Sequence, residues 1–277
     1  MRIWLAIPTM NSELLRAAVR DAASRASDLG LIVHYNGVSP TEADEELFSE
    51  MPSIKEALVS VSKENRGVTE ALHKMWKNHI MEQQDGRGLA SPDDLILYIH
   101  DDVSILERGW DLKLRTFLHQ HPKAGLVGFG GARGLGDPDL YQKPYVLTQL
   151  ARRDFVSNMR DAEAHGRRIG APTRVSTLDG FALGCRREFL DKIGGFRWWP
   201  YPHHGYDNGL ACMAARFGYE VWVLPIACHH HGGLTATRAP YLEGIAKKFG
   251  GDGEIHRLGH EFLYKEFKDV LPLMVES

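Results

Sequence analysis

Several features that mark common protein classes are missing from this sequence. Its 277 residues include only three cysteines, Cys185, Cys212 and Cys228, which are isolated and form no Cys-x-x-Cys pair. They fit neither a disulfide framework nor a cysteine metal site, so a reducing compartment is expected. No run approaches the roughly 20 apolar residues that span a bilayer, and the opening MRIWLAIPT holds too short an apolar stretch for a signal peptide. We therefore expect a cytoplasmic protein without a membrane span.

Sequence motifs of several enzyme classes are also missing. Neither the Gly-x-x-x-x-Gly-Lys-Ser/Thr loop of nucleotide hydrolases nor the Gly-x-Ser-x-Gly turn of serine hydrolases occurs. The stretch GFGGARGLG, residues 128–136, contains a Gly-x-Gly pattern but lies in the middle of the chain. A nicotinamide dinucleotide site is not expected there, because such sites lie in the first strand-to-helix turn. We interpret the stretch as a loop that borders the site.

The charge balance is ordinary, with one local exception. Lys and Arg number 33 against 36 Asp and Glu, which does not suggest a surface coated in nucleic-acid-binding charge. The segment 143–174 carries seven basic residues against three acidic ones, and its arginines include Arg152, Arg153, Arg167 and Arg168. This segment is interpreted either as a contact surface for an anionic polymer or as a solvated insertion.

Strand and helix patterns alternate through the first half of the chain. RIWLAIP, LIVHYNG, ALVSVS and LILYI are predicted strands, and the segments 11–30 and 68–83 are predicted helices. The alternation predicts an α/β fold with a Rossmann-like, mostly parallel central sheet flanked by helices. Ligands bind beyond the carboxyl ends of such strands. The side chains at these ends are Pro8, Thr9, Tyr35, Asn36, Glu64, Asn65, Arg66, Asp101 and Asp102.

The second half of the chain returns to regular patterns after the basic segment. DGFALGCRREFLDKIGGF predicts a strand and a short helix, and YDNGLACMAARFG predicts a helix. YEVWVLPIACHHH is predicted to be one strand that ends in three histidines. A last helix is predicted near HEFLYKEFKDVLPLM, within a C-terminal helical tail.

Two adjacent carboxylates, Asp101 and Asp102, follow the apolar run Leu95–Ile99. They are interpreted either as a solvated turn or as ligands of a hard divalent cation, since Mg²⁺ and Mn²⁺ prefer carboxylate oxygens. A cation at this place would also reduce the repulsion between two like charges.

Histidines and a further aspartate supply the other candidate site residues. His229, His230 and His231 follow one another at a predicted strand end, so His229 and His231 share one face and His230 lies on the other. One of the two faces could bind a metal while the other is structural. Asp207 opens a predicted helix, where it is interpreted either as an N-cap or as a general base.

Six segments, taken in order, resemble glycosyltransferase family 2, whose members are nucleotide-sugar transferases with the GT-A fold. They span residues 3–235 and are LAIPTMN, KENRGVTEAL, LILYIHDDV, DGFALGCRREFLDKIGGF, YDNGLACMAARFGYEVWV and CHHHGG. The histidine before an aspartate pair resembles a subset of bacterial and phage-type transferases. The resemblance implies a transferase domain over 1–235, with a nucleotide-binding half, 1–125, and an acceptor and metal half, 126–235. A tail, 236–277, would follow.

Three positions depart from the family pattern. His100 stands at the first position of the Asp-x-Asp motif, so Asp102 is the preferred metal ligand and Asp101 the second choice. Tyr206 replaces the glutamate of the Glu-Asp motif. Tyr35 and Asn36 stand where many members place an aspartate that pairs with uracil, and an aromatic ring could stack on a base there while an amide reads its edge.

The resemblance also implies roles for the remaining candidates. Mn²⁺ or Mg²⁺ would be held by Asp102 and one of His229, His230 and His231, with His230 preferred. Asp207 would be the base in an inverting transfer, and Asp179 would orient the sugar or the acceptor. The strand-end residues Pro8, Thr9, Tyr35, Asn36, Asn65, Arg66 and Asp101 would contact the nucleotide.

The expected substrate is a nucleoside-diphosphate sugar, with a UDP-sugar favoured and a hexose as the transferred group. The expected acceptor is a polysaccharide, a small molecule or modified DNA. Two other functions compete with a transferase: a metal-dependent hydrolase of a phosphate or nucleotide-sugar substrate, and a binding module without catalysis. Release of free sugar without any acceptor would favour the hydrolase.

Overall fold

Strands and helices alternate along the described part of the chain. The computed structural model describes residues 1–81, 91–136, 152–160, 166–232 and 239–275. The α-helices there are α1 (Ser12–Ala23), α2 (Glu42–Glu50), α3 (Val68–Trp76), α4 (Trp110–Gln120), α5 (Arg187–Ile193), α6 (Tyr206–Arg216), α7 (Ala239–Phe249) and α8 (Asp252–Glu266), and a π-helical segment (Lys77–Met81) follows α3. The strands there are β1 (Ile3–Thr9), β2 (Leu29–Asn36), β3 (Ile54–Ser62), β4 (Leu95–Ile99), β5 (Val103–Ile105), β6 (Ala124–Gly128), β7 (Gly130–Leu135), β8 (Arg152–Ser157), β9 (Arg167–Arg168), β10 (Thr173–Val175), β11 (Thr177–Leu178), β12 (Ala182–Arg186), β13 (Glu220–Val223), β14 (Cys228–His230) and β15 (Leu273–Met274).

The central sheet has eight strands in the order β10-β13-β6-β12-β4-β1-β2-β3. The neighbours β4, β1, β2 and β3 are parallel, and β6 and β13 form a second parallel pair. β12 lies antiparallel between these two groups, and β10 is an antiparallel edge strand. The prediction of an α/β fold with a mostly parallel sheet is confirmed.

Two smaller sheets complete the architecture. One has the order β11-β7-β8-β9, with β15 also paired to β7, and the other is an antiparallel ribbon of β5 and β14. The first of these sheets places Arg152, at the start of β8, on the same side of the molecule as Asp179, which follows β11. The ribbon places His230 opposite Val103.

Apolar side chains cover both faces of the central sheet. Along β1, Trp4 and Ala6 belong to one buried cluster, while Leu5 and Ile7 belong to the other. This division follows from the alternation of side chains along a strand. Each large apolar side chain that is fully buried contributes about 1.5–3 kcal/mol of transfer free energy. The strands whose carboxyl ends carry the site are therefore covered by a hydrophobic core on each face of the sheet.

The first helix is shorter than the sequence pattern predicts. Asn11 is its N-cap, as expected, and its Oδ1 accepts a hydrogen bond from the Glu13 amide at 2.9 Å. The helix ends at Ala23, however, and Gly30 lies inside β2 rather than at a helix end. A Cβ on Gly30 would lie 2.2 Å from the Trp4 ring. Gly30 thus admits a tryptophan ring and does not end the helix.

The glycine-rich stretch 128–136 forms strand rather than loop, so that prediction is wrong. A Cβ on Gly131 would lie 2.2 Å from the Thr177 carbonyl oxygen, and one on Gly128 would lie 2.6 Å from the Ala182 oxygen. The glycines allow backbones to approach closely, a role that sequence pattern alone does not separate from loop flexibility.

The segment that ends in three histidines is two strands and not one. Pro225 lies between β13 and β14, and proline cannot donate the hydrogen bond that a continuous strand ladder needs. β13 joins the central sheet, whereas β14 leaves it to pair with β5. This break directs the histidines toward the turn that follows β4.

The C-terminal segment consists of α7, α8 and β15. The last helix begins at Asp252 and ends at Glu266, earlier at both ends than predicted. Leu263, Tyr264 and Phe267 are buried in the core cluster that contains Trp4. The division of the chain at residue 235 stays a prediction, although both sides of it share this core. No described helix combines the length and apolar character needed to cross a bilayer.

Candidate active site

The turn after β4 and the end of β14 meet in space. β14 pairs with β5 so that His229 lies opposite Ser104 and His230 opposite Val103. The backbone amide of His231 also donates to the Asp102 carbonyl oxygen at 3.0 Å. Backbone hydrogen bonds therefore hold together two segments that are far apart in the sequence.

Three side chains form a cluster at this junction. His230 Nε2 lies 3.3 Å from Asp102 Oδ1, and His100 Nδ1 lies 4.0 Å from the same oxygen. One potential ligand atom from each residue lies within 4.8 Å of the others. Asp102 Oδ1 and His230 Nε2 are buried, and neither makes a hydrogen bond with the described residues. Two imidazoles and a carboxylate with unsatisfied atoms fit a divalent cation.

The protonation states of this cluster also suit a cation. Burial lowers the pKa of His100, which favours the neutral imidazole that binds metals. Burial opposes ionisation of Asp102, but His230 and His100 beside it hold its pKa below the ordinary value. The cluster therefore presents an anionic oxygen together with a neutral ring nitrogen.

The predicted alternation of the three histidines is confirmed. The His229 and His231 rings pack against each other with centroids 4.3 Å apart, whereas the His230 ring lies beside the Asp102 carboxylate. His229 and His231 are therefore separate from the cluster. His100, interpreted from sequence only as a departure from a motif, is its third member.

Asp101 lies elsewhere than Asp102 despite its adjacent position. Its Oδ2 accepts a hydrogen bond from Thr9 Oγ1 at 2.8 Å, and both side chains are buried. Thr9 and Asp101 thus connect the ends of β1 and β4. The half-buried Pro8 precedes this link on β1.

The end of β2 supports the neighbouring loop. Asn36 Nδ2 donates to Asn65 Oδ1 at 2.8 Å and to the Gly67 carbonyl oxygen at 3.1 Å. Asn36 is itself buried, while Asn65 is half-buried and Arg66 is exposed. Of these three, Asn65 and Arg66 are the side chains that a ligand can reach.

Tyr35 cannot stack on a nucleobase in this structure. Its exposed fraction is 0%, and its hydroxyl donates to Asp44 Oδ2 at 3.0 Å. Asp44 also accepts hydrogen bonds from Arg16 and from the Thr41 amide. Tyr35 belongs to the core, and the aromatic contact expected from the sequence is wrong.

Asp207 lies in an ion pair at the start of α6. Arg152 Nη2 donates to its Oδ2 at 2.6 Å, and the Gly180 amide donates to the same oxygen at 3.1 Å. Arg152 Nη1 also lies 3.8 Å from Asp179 Oδ2. The residue before α6 is Gly205, so Asp207 is not the N-cap. The carboxylate is instead aimed at the segment around Asp179.

Tyr206 joins the two parts of the site. Its hydroxyl lies 3.3 Å from His100 Nε2 and 3.4 Å from the Gly180 carbonyl oxygen. A hydrogen bond from Nε2–H to this hydroxyl leaves the lone pair of His100 Nδ1 directed toward Asp102. A Cβ on Gly180 would lie 2.7 Å from the Tyr206 oxygen, so glycine is needed there.

Arg152 and Tyr206, like His100, are site residues that sequence reasoning missed. The sequence placed Arg152 in a basic segment and Tyr206 as a substitution, and it contained no signal that either would contact a carboxylate or a histidine. Arg167 and Arg168 are exposed on β9. The Arg153 side chain, residues 143–151 and Gly233 lie outside the described residues.

A cavity of about 860 Å³ lies between α3, the aromatic loop 196–202 and α7. Its lining includes Asn65 and Arg66 of the site, and it combines aromatic side chains with cationic ones. Trp199, Tyr201 and Phe249 provide rings, and Lys74, Arg197 and Lys248 provide positive charge. Aromatic faces suit sugars, and cations suit phosphate or carboxylate groups.

Comparison with known proteins identifies the fold. No family model and no curated protein matches this sequence. The crystal structure of GalNAc-T7 with UDP, GalNAc and Mn²⁺ superposes with a TM-score of 0.61 at 13% identity, covering 97% of this chain and 49% of that one. The structure of S. aureus TarS gives a TM-score of 0.49 at 14% identity over 81% of this chain and 35% of that one. This chain spans about half the length of GalNAc-T7. It has the GT-A fold.

Proposed function

We propose that this chain is a metal-dependent glycosyltransferase that moves a hexose from a nucleoside-diphosphate sugar, preferably a UDP-sugar, to an acceptor hydroxyl. The observation that carries the proposal is the cluster of His100, Asp102 and His230 at the carboxyl end of a parallel strand in a GT-A fold. GalNAc-T7, which shares the fold, was crystallised with UDP and Mn²⁺.

His100, Asp102 and His230 would hold the cation. Bound Mn²⁺ or Mg²⁺ supplies positive charge that stabilises a leaving diphosphate. Asp101 and Thr9 hold the turn in place from the end of β1. Asn65 and Arg66, the reachable polar side chains of the adjoining loop, would contact the base, the ribose or the phosphates, with Asn36 as their support.

Asp207 would accept the proton of the acceptor hydroxyl in an inverting transfer. A carboxylate offers about four acceptor positions. Arg152, Gly180 and Asn208 supply three hydrogen bonds to it, which leaves room for one further donor. Arg152 positions the carboxylate, and Asp179 would orient the sugar or the acceptor from the other side of the same guanidinium.

The acceptor would enter the cavity between α3, the loop 196–202 and α7. Its rings and cations suit an anionic or sugar-containing acceptor, whether a polysaccharide, a small molecule or modified DNA. Assays with these three acceptor classes distinguish between them. Release of free hexose from UDP-hexose at the same rate with and without an acceptor would support the alternative, a metal-dependent hydrolase.

The Asp102→Asn variant tests the metal centre. Wild-type protein is expected to bind UDP in the presence of Mn²⁺, as measured by isothermal titration calorimetry. In Asp102→Asn that affinity is expected to fall by about 10- to 100-fold, because the cluster loses its only negative charge. Asp93→Asn is the matched control, since Asp93 is an exposed carboxylate that precedes the same strand. Equal UDP affinity with and without Mn²⁺ in wild type would contradict the proposal.

A further inference from the structure

A second group of potential metal ligands lies outside this site. His203 and His204, in the loop before α6, converge on Asp252, the first residue of α8. His203 Nε2 lies 2.6 Å and His204 Nε2 lies 2.9 Å from the same oxygen, Asp252 Oδ1. One potential ligand atom from each residue lies within 4.8 Å of the others. No described member of the first cluster belongs to this group.

The second nitrogen of His203 is already engaged. His203 Nδ1 lies 2.7 Å from the Tyr241 hydroxyl, on α7. Histidines that bind metals commonly donate the N–H of the other ring nitrogen to a neighbouring acceptor, which sets the tautomer. Without metal, Nε2–H donates to Asp252 Oδ1, and a cation bound at Nε2 would take the place of this proton while Nδ1–H donates to the Tyr241 hydroxyl. The Tyr241 contact therefore holds His203 in the orientation of a ligand.

The backbone of His204 is strained. Its φ is 57°, in the left-handed region, where residues other than glycine are uncommon. Such conformations are found at turns and at functional sites. Here the conformation directs the His204 ring toward the oxygen that His203 also contacts.

We propose that His203, His204 and Asp252 form a second site for a divalent transition metal of the Zn²⁺ class. Two imidazole nitrogens and one carboxylate oxygen suit Zn²⁺ better than Mg²⁺, which prefers oxygen ligands alone. A fourth position stays open to water or to an external ligand.

The site would join the C-terminal helices to the loop that leads into Asp207. Its ligands come from both segments, and Tyr241 also lines the cavity described above. The side chains of His203, His204 and Asp252 are 12%, 35% and 53% exposed, so an ion and a chelator can both reach them. This inference does not depend on the transferase activity.

The experiment is a titration of the metal-free full chain with Zn²⁺ alone. Calorimetry is expected to give two tight equivalents in wild type, one in His203→Ala, one in His230→Ala, and none in the double variant. The apparent Tm of wild type is expected to rise by about 5 °C at a Zn²⁺ concentration near 100 times Kd. His119→Ala, which removes an exposed histidine of α4, is the control for nonspecific surface binding.

Asp252→Asn separates a metal site from a hydrogen-bonded cluster. Asparagine keeps an oxygen that can accept from both histidines but removes the negative charge, so the protein is expected to stay folded. Zn²⁺ affinity at this site is expected to fall at least about tenfold. An unchanged Zn²⁺ titration in both Asp252→Asn and His203→Ala would overturn the proposal. Because UDP is absent from this titration, that outcome would leave the proposed nucleotide site unaffected.

Discussion

The two clusters contain the same chemical groups in different structural settings. Each has two imidazoles and one carboxylate, and in each a tyrosine hydroxyl lies beside a histidine nitrogen: Tyr206 in the first and Tyr241 in the second. The first cluster lies where β4 ends and β14 pairs with β5. The second lies between a loop and the first turn of a C-terminal helix.

This difference in setting indicates a difference in role. Asp102 is 4% exposed and its carbonyl oxygen accepts a hydrogen bond from the His231 amide, beside the β5–β14 ribbon, whereas Asp252 is 53% exposed at the start of a helix. Sites on packed strands hold their ligands more precisely than sites on loops. The first cluster also adjoins Asp207 through Tyr206. Chemistry is therefore expected at the first cluster, and attachment of the C-terminal segment at the second.

Each of the two clusters also has a tyrosine beside it that stays protonated. Burial raises the pKa of Tyr206 and of Tyr241, so both remain protonated phenols at neutral pH. A phenol can donate a hydrogen bond or accept one from an imidazole N–H. Each cluster thus has a neutral group that can set the tautomer of its histidine.

The largest expected effect comes from Asp207→Asn. The variant keeps the size of the side chain but removes the proton acceptor, and general bases contribute about 10²- to 10⁴-fold to rates. The transfer rate, measured by UDP release with an acceptor, is expected to fall by that amount while Mn²⁺-dependent UDP affinity changes little. Asp252→Asn is expected to lower the rate far less. If the two variants lose transfer rate equally, chemistry is not confined to the first cluster.

An intermediate effect is expected from a histidine that belongs to neither cluster. His34 is buried between the Ser60 and Ser62 hydroxyls, and burial, aided by Lys74 and His79, lowers its pKa from 6.5 to about 4. Between pH 6.5 and pH 4 the unfolded chain binds this proton more tightly than the folded chain, so stability falls as pH falls. The loss reaches about 3 kcal/mol and is complete below pH 4.

Urea unfolding at pH 7 and at pH 4.5 measures this effect. His34→Gln retains an amide for the serine hydroxyls but cannot titrate, so its free energy of unfolding is expected to fall less on acidification. The exposed His119→Gln variant should behave like wild type. If His34→Gln loses as much stability as wild type, the acid sensitivity arises elsewhere. Measured without metal, this loss of unfolding free energy is the reference for any change in stability with pH that the two clusters cause.

The smallest expected effect comes from His100→Asp. An aspartate in place of the imidazole gives the first cluster a second carboxylate, which favours hard cations. The ratio of UDP affinity with Mg²⁺ to that with Zn²⁺ is expected to rise roughly tenfold. An unchanged ratio would show that His100 does not contribute a ligand. The same measurement in His203→Ala should give the wild-type ratio if the second cluster is separate from nucleotide binding.

Much of the fold and part of the site could be predicted from local sequence. The apolar run before Asp101 and Asp102 identified β4, and the period of side chains along a strand separated His230 from its neighbours. The predictions were wrong where one residue type, glycine, occurs in loops, at helix ends and in strands. Gly30 and Gly131 lie in strands because other groups approach them closely, and their neighbours in sequence do not reveal those groups.

The amino-acid sequence alone determined the α/β class, the position of Asp101 and Asp102 after a buried strand, and the alternation of the three histidines. Each of these depends only on residues within a few positions of one another. The tertiary structure decided that His100 joins Asp102 and His230, that Arg152 pairs with Asp207, and that Tyr35 belongs to the core. These contacts depend on strand pairing and packing between distant segments. The free energy of such pairing comes from the whole fold, so no single stretch of the chain specifies it.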